Sequence, residues 1–198
     1  MSIKQIDTNQ HFKVAVLAVL SCSVSWLAMQ IVHEFGHVMH ALVSGATVTK
    51  VVLSPLSISR TDVSPNPYPL FVVWGGPLWG CLLPLMFCLL VHRIRWKHRH
   101  LVRFFAGFCL IANGAYLGMG IVKPVGDAEV LLNLGTPRWL LGLFGVIAVG
   151  TGLWFWNGIG NRFGIGKSAD DVDFREIVTL SLLVVLIVVM ELALSSPV

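Results

Sequence analysis

Positions 33, 34, 37 and 40 of the chain are His, Glu, His and His, set in the stretch WLAMQIVHEFGHVMHALVSG (26–45). At 100° per residue on an α-helix, His37 and His40 fall about 40° and about 20° from His33, so the three imidazoles share one face. His33 and His37 are one turn apart, and two ring nitrogens at that spacing can converge on a single Zn²⁺ at about 2.0–2.1 Å. Glu34 lies about 100° round the helix, poorly placed as a ligand but able to hold an attacking water beside the metal. This is the H-E-x-x-H arrangement of zinc hydrolases, and it predicts one zinc per chain. His40 stands about 10.5 Å along the axis from His33, nearly the full reach of two opposed imidazoles. That distance predicts an accessory, pocket-lining place for His40 in preference to ligation.

On a solvated helix the same spacing arises by chance, so the surroundings decide its meaning. The 198 residues are 56% apolar and 12% charged, with a mean hydropathy of +0.79, well outside the range of soluble globular chains. Ionisable groups at membrane depth cost about 2.5 kcal/mol or more each and are by default functional and partnered. The composition predicts an all-α integral membrane protein. Apolar stretches long enough to cross a bilayer about 30 Å thick occur at 12–43, 69–91, 101–121, 139–156 and 177–194. The first would reach about 45 Å at 1.5 Å per residue, so one end must project or tilt, and the end carrying Glu34 is the natural one to meet water. It is too long for a signal peptide and runs straight into the histidines. No repeat or low-complexity tract divides the chain, which predicts one domain over 1–198, with a three-helix core at 12–130 and accessory helices at 137–195.

Two ligands rarely hold a zinc alone, so a third must arrive on the same side of the membrane as the far end of the first span. The third span runs in the same direction and leads into GIVKPVGDAEVLLNLGTP. There Asp127 follows a Pro124-Val125-Gly126 break that can aim a short carboxylate inward, whereas Glu129 already begins a helical pattern. Asp127 is the expected ligand and Glu129 the reserve. Asn113, the single asparagine within a span, can either polarise a substrate or make a buried hydrogen bond between helices.

The remaining motifs have plainer readings. Residues 46–60 carry Thr47, Val48, Val51, Val52 and Ile58, a β-branched pattern broken by Pro55, which predicts a short hairpin at the membrane edge. Gly166-Lys167-Ser168 resembles the end of a phosphate loop, but the pattern needs Gly at 161, where Asn161 stands. Cys22, Cys81, Cys88 and Cys109 lie inside apolar runs without C-x-x-C spacing, excluding a thiolate zinc site of the usual form. Trp96, Trp139, Trp154 and Trp156 near span ends suit an interfacial belt, and Glu191 is near enough to the C-terminus to reach the interface. No nucleic-acid motif accompanies the net charge of +4. With five spans, Lys50, Arg60, Lys123 and Arg138 fall on one side and the other ten of the fourteen Lys and Arg on the other. The positive-inside rule then puts the N-terminus in the cytoplasm.

HEFGHVMHA resembles the H-E-x-G-H-x-x-x-A pattern of the site-2 protease family of intramembrane zinc metalloproteases, in particular its compact bacterial-type members, at His33, Glu34, Gly36, His37 and Ala41. WGGPLWG (74–80) is similar to that family's small-residue Gly-Pro motif, here Gly76-Pro77, and KPVGDA stands where the family places its third ligand. The likeness spans about the first 130 residues. It departs from the family pattern in reading Gly-Asp-Ala in place of Leu-Asp-Gly, with Met119 where an asparagine usually stands. The resemblance implies Asp127 as third ligand, Glu34 as general base, a transmembrane peptide or membrane protein as substrate, and a bacterial inner membrane as location. It further implies that the hairpin offers a strand edge to an unwound substrate. Two rivals are a metal transporter, which would need polar residues along several helices, and a zinc-binding protein without catalysis, which would have no use for Glu34.

Overall fold

The structure, a computed structural model, describes residues 8–166 and 169–195. Lys4 and Lys167, counted above for orientation, and the Lys167-Ser168 end of the glycine-rich stretch lie outside the described residues. The chain is mostly helical: α1 (Thr8–Val43), α2 (Pro69–Arg93), α3 (Arg99–Met119), the short α4 (Asp127–Asn133), α5 (Arg138–Trp156) and α6 (Phe174–Ser195). Between α1 and α2 lies a two-stranded antiparallel sheet, β1 (Val48–Val52) and β2 (Arg60–Val63). Five of the helices are long and apolar enough to cross a membrane. They fall where the hydropathy runs place them, each extended or trimmed by a few residues.

Small residues set how closely the helices approach. A Cβ on Gly36 of α1 would overlap the carbonyl oxygen of Gly75 on α2, and one on Gly75 would overlap that of Gly36. The two backbones touch at the level of the histidines, as small-residue contacts between membrane helices allow. Gly114 and Gly145 pack α3 against α5 in the same manner, so α5 is built closely onto the bundle. At the opposite end of the bundle, Asp173 caps α6: its Oδ1 accepts the Arg175 N–H at 3.0 Å and its Oδ2 takes Lys97 Nζ at 3.1 Å. The Arg175 N–H first, and then Lys97, hold the Asp173 carboxyl below its ordinary value.

Three expectations change. The hairpin's second strand begins only at the last residue of the 46–60 segment and runs on beyond it, Arg60–Val63, because residues 54–59 are used to turn the chain. Trp156 is turned to a neighbouring helix as well as standing at a span end: its Nε1–H donates to Phe104 O at 2.9 Å and its ring stacks on Phe104 at 5.0 Å. Glu191 does not reach the interface but is fully buried, with neither carboxylate oxygen hydrogen-bonded. Eleven residues on a helix return it to within about 20° of Leu180, a buried residue of the cluster that includes Leu17 of α1, so its side chain faces protein.

Candidate metal centre

His33 and His37 project from α1 toward α2 and α3, and each commits its Nδ1 before its Nε2 is considered. His33 Nδ1–H donates to Asn113 Oδ1 at 2.6 Å, and the Asn113 amide is oriented by Nδ2 donating to Cys109 O at 2.9 Å. His37 Nδ1–H donates to Val72 O at 3.0 Å. In the neutral rings the proton is therefore on Nδ1, and both Nε2 atoms present a lone pair to the interior, the tautomer that metal-ligating histidines adopt when a partner fixes the other nitrogen.

The third donor comes from Asp127. Its Oδ2 lies 2.9 Å from His33 Nε2 and 3.3 Å from His37 Nε2, while the two Nε2 atoms are 3.2 Å apart. Donors held at about 2.0–2.1 Å round a tetrahedral ion stand roughly 3.3 Å from one another, so this near-equilateral triangle has the size of a tetrahedral face. Three lone-pair donors this close repel unless a proton or a metal cation lies among them. His33, His37 and Asp127 are also the only group of three such residues with converging donor atoms among the described residues. The donor set, two imidazole nitrogens and one carboxylate, fits a divalent ion such as zinc.

Local sequence explains how the carboxylate arrives. Gly126 takes φ +55°, a conformation open to glycine, and a Cβ there would overlap the Tyr116 hydroxyl oxygen. That same oxygen accepts the Asp127 N–H at 2.8 Å, so the turn and Tyr116 together aim the Asp127 side chain at the histidines. Burial alone would raise the Asp127 carboxyl, but a proton taken up on either facing Nε2 in place of a metal would bond to it, outweigh burial and hold the group well below the usual carboxylate range. Space for the triad is made by Gly76, where a Cβ would overlap His37 Nε2 and crowd His33 Nε2. A Cβ at Gly80 would likewise press on Asn113. Close helix approach, which the Gly-Pro stretch suggests, is the work of its neighbour Gly75; Gly76 serves the imidazoles.

Glu34 is 5% exposed and lies outside the triad, its Oε2 accepting the Thr61 Oγ1–H at 2.7 Å. One turn earlier Gln30 grips the same hairpin: its Oε1 accepts the Ser59 N–H and Oγ–H at 2.9 and 2.8 Å, and its Nε2 donates to Ser54 O at 3.2 Å. Neither Thr61 nor Gln30 carries a sequence signal that sets it apart from other polar residues near a span end.

The accessory candidates separate clearly. His40 donates from Nδ1 to Phe71 O at 2.6 Å and stacks on the Phe71 ring at 4.1 Å, outside the triad. Glu129 is exposed on the far side of α4 from the buried Ala128 and Leu131. Asn113 is in the site, but with its oxygen on His33 and its amide on Cys109 it is occupied in orienting a ligand and is not free to polarise a substrate.

No family model, curated protein or solved structure matches the chain. The site's chemistry rests on its geometry and its residue types.

Proposed function

We propose that the chain is a zinc-dependent intramembrane endopeptidase, of the kind the site-2 protease resemblance implies, acting on a transmembrane peptide or membrane protein. The observation that carries this reading is the convergence of His33 Nε2, His37 Nε2 and Asp127 Oδ2 on one point, with Glu34 adjacent to the histidines on a helix suited to a bilayer and Asp127 brought to them at the start of the short α4. A divalent ion held by these three donors would polarise a scissile carbonyl and make water a nucleophile near neutral pH.

The chain's own residues supply the rest. Glu34 takes a proton from the attacking water as its oxygen bonds to the carbonyl carbon. It then delivers that proton to the amide nitrogen as the C–N bond breaks, leaving an amine and a carboxylic acid, whose remaining water proton passes to the amine to give ammonium and carboxylate. Asn113 and Val72 keep both imidazoles in the binding tautomer, and Tyr116 keeps Asp127 turned inward. The walls of the site are protein on several sides, which limits bulk water. A substrate helix must unwind to be cut, and the hairpin beside Glu34 has a strand edge to which an extended segment can pair. The transporter reading has less support, because α2 and α5 bring no ionisable side chain to the triad.

Zinc quantification on the purified protein tests the ligand set: about one zinc per chain, lost in His33→Ala, His37→Ala and Asp127→Ala, kept in His40→Ala and Glu129→Ala. Cleavage of transmembrane peptides by wild type and not by a zinc-loaded Glu34→Gln variant tests the chemistry. Equal cleavage by that variant would sink the protease reading.

A further inference from the structure

The hairpin and α1 are in register. Gln30 and Glu34 are one helical turn apart, a rise of about 6 Å, and their partners Ser59 and Thr61 are two strand residues apart, about 6.6 Å. The two spacings nearly coincide, so β2 runs along α1 with Ser59, Thr61 and Val63 on its inner face. Val63 continues the contact onto the buried cluster of Ala41, Ala46 and Val72. The Gln30 amide uses three hydrogen bonds to hold residues 54 and 59, and the Ser54 N–H closes the turn on Ser59 Oγ at 3.1 Å. A buried side chain committed to that extent fixes where the strand lies. On its partner strand, Thr61 is opposite Val51, so the Thr61 hydroxyl reaches Glu34 without a competing side-chain partner across the sheet.

We propose that Thr61 is a positioning residue for the proton-transfer step: its hydroxyl holds one oxygen of Glu34, with Gln30 and Ser59 setting the strand so that the other oxygen is left to face the water. This inference rests on the protease reading. A glutamate has three rotatable bonds, and one that must take a proton from water and hand it on within a single site gains from a donor that stops it swinging. The donor belongs to the same hairpin whose edge can take the substrate strand, so substrate placement and base placement share one element.

The test uses the full-length protein in lipid nanodiscs, loaded with Co²⁺ as a spectroscopic probe of the metal site. Cleavage is followed on a pool of end-labelled single-span peptides. Thr61→Val keeps shape and β-propensity but removes the hydroxyl. It should bind Co²⁺ with wild-type stoichiometry, lower kcat by about 10- to 100-fold with KM within about twofold, and shift the visible Co²⁺ band in the direction Glu34→Gln shifts it. Thr61→Ser should restore kcat and band together, and Thr61→Ala should behave as the valine variant. A valine variant with wild-type kcat and band overturns the proposal, as does one that cleaves faster, which would make the bond a restraint on Glu34. Failure of the protease reading looks different: wild type cuts nothing, or Glu34→Gln cuts as well as wild type, while the Co²⁺ band still reports whether Thr61 governs Glu34.

Discussion

Asn113 on α3 accepts a 2.6 Å hydrogen bond from His33 Nδ1 on α1, so the orientation of one imidazole is set by a helix eighty residues away in sequence. Partners of this kind raise ligand basicity and fix the ring, and their loss commonly costs about 10- to 100-fold in metal affinity. Asn113→Ala should therefore weaken zinc binding by about that factor, measured by competition with a chromophoric chelator, while the helix content stays unchanged. Asn113→Asp keeps an acceptor at the same place and should lose less. Wild-type affinity in the alanine variant would reduce the bond to a packing contact.

Gly76 offers a sharper steric test. A methyl group at that position would overlap His37 Nε2 and crowd His33 Nε2, where the proposed ion would be held. Gly76→Ala should abolish stoichiometric zinc binding. Gly150→Ala, on α5 where a Cβ meets nothing within 4 Å, should leave binding unchanged and, if anything, favour its helix by removing a flexible residue. Metal content measured side by side decides the matter: equal occupancy in the two variants would mean that the ion does not lie between the imidazoles.

Metal affinity should rise with pH, and the aspartate should not be the cause. Binding requires neutral imidazoles and so releases protons. Positive charge among the three donors, a proton on a facing Nε2 or a bound cation in its place, holds the Asp127 carboxyl well below its ordinary value. A depressed carboxyl contributes fully above its unfolded value of about 3.9 and loses that contribution as pH falls through the folded one. Over the range in which imidazoles ordinarily titrate, about pH 5 to 8, Asp127 stays ionised, and the slope of log affinity against pH should come from the two histidines alone. Isothermal titration at several pH values would show it; an added proton lost near pH 5 would contradict the assignment of Asp127 as a permanently ionised ligand.

How far the site could be read beforehand follows from what kind of information each part carries. His33, Glu34 and His37 are local: one helical turn fixes their relation, and an apolar setting makes their cost conspicuous. Asp127 could be reached by following the alternation of spans and the Pro-x-Gly break, two steps of topology. The Thr61 to Glu34 bond could not, because the register of a short hairpin depends on where its turn closes, and that closure is made by Gln30 across 24 and 29 residues. Glu191 misleads, and Trp156 is only half read, for a related reason. Proximity to a span end does not say which way a side chain faces, and both face packed neighbours.

Orientation is the property on which the charges and the family resemblance differ. With five alternating spans, ten of the fourteen Lys and Arg fall on the side of the N-terminus, with Arg95 and Lys97 in the short connection between α2 and α3 and Arg93 and Arg99 at the helix ends beside it, where the positive-inside rule is most reliable. The rule puts that connection in the cytoplasm and the triad, near the far end of α1, toward the extracytoplasmic half; members of the resembled family usually open toward the cytosol. Arg99 is exposed at the start of α3, and three of the four native cysteines are buried, while Cys22 lies within the apolar run of α1. A cysteine replacing Arg99 should thus be protected from an impermeant thiol reagent in intact cells and labelled after the membrane is opened. Labelling from outside would invert the topology and return the metal centre to the cytosolic half.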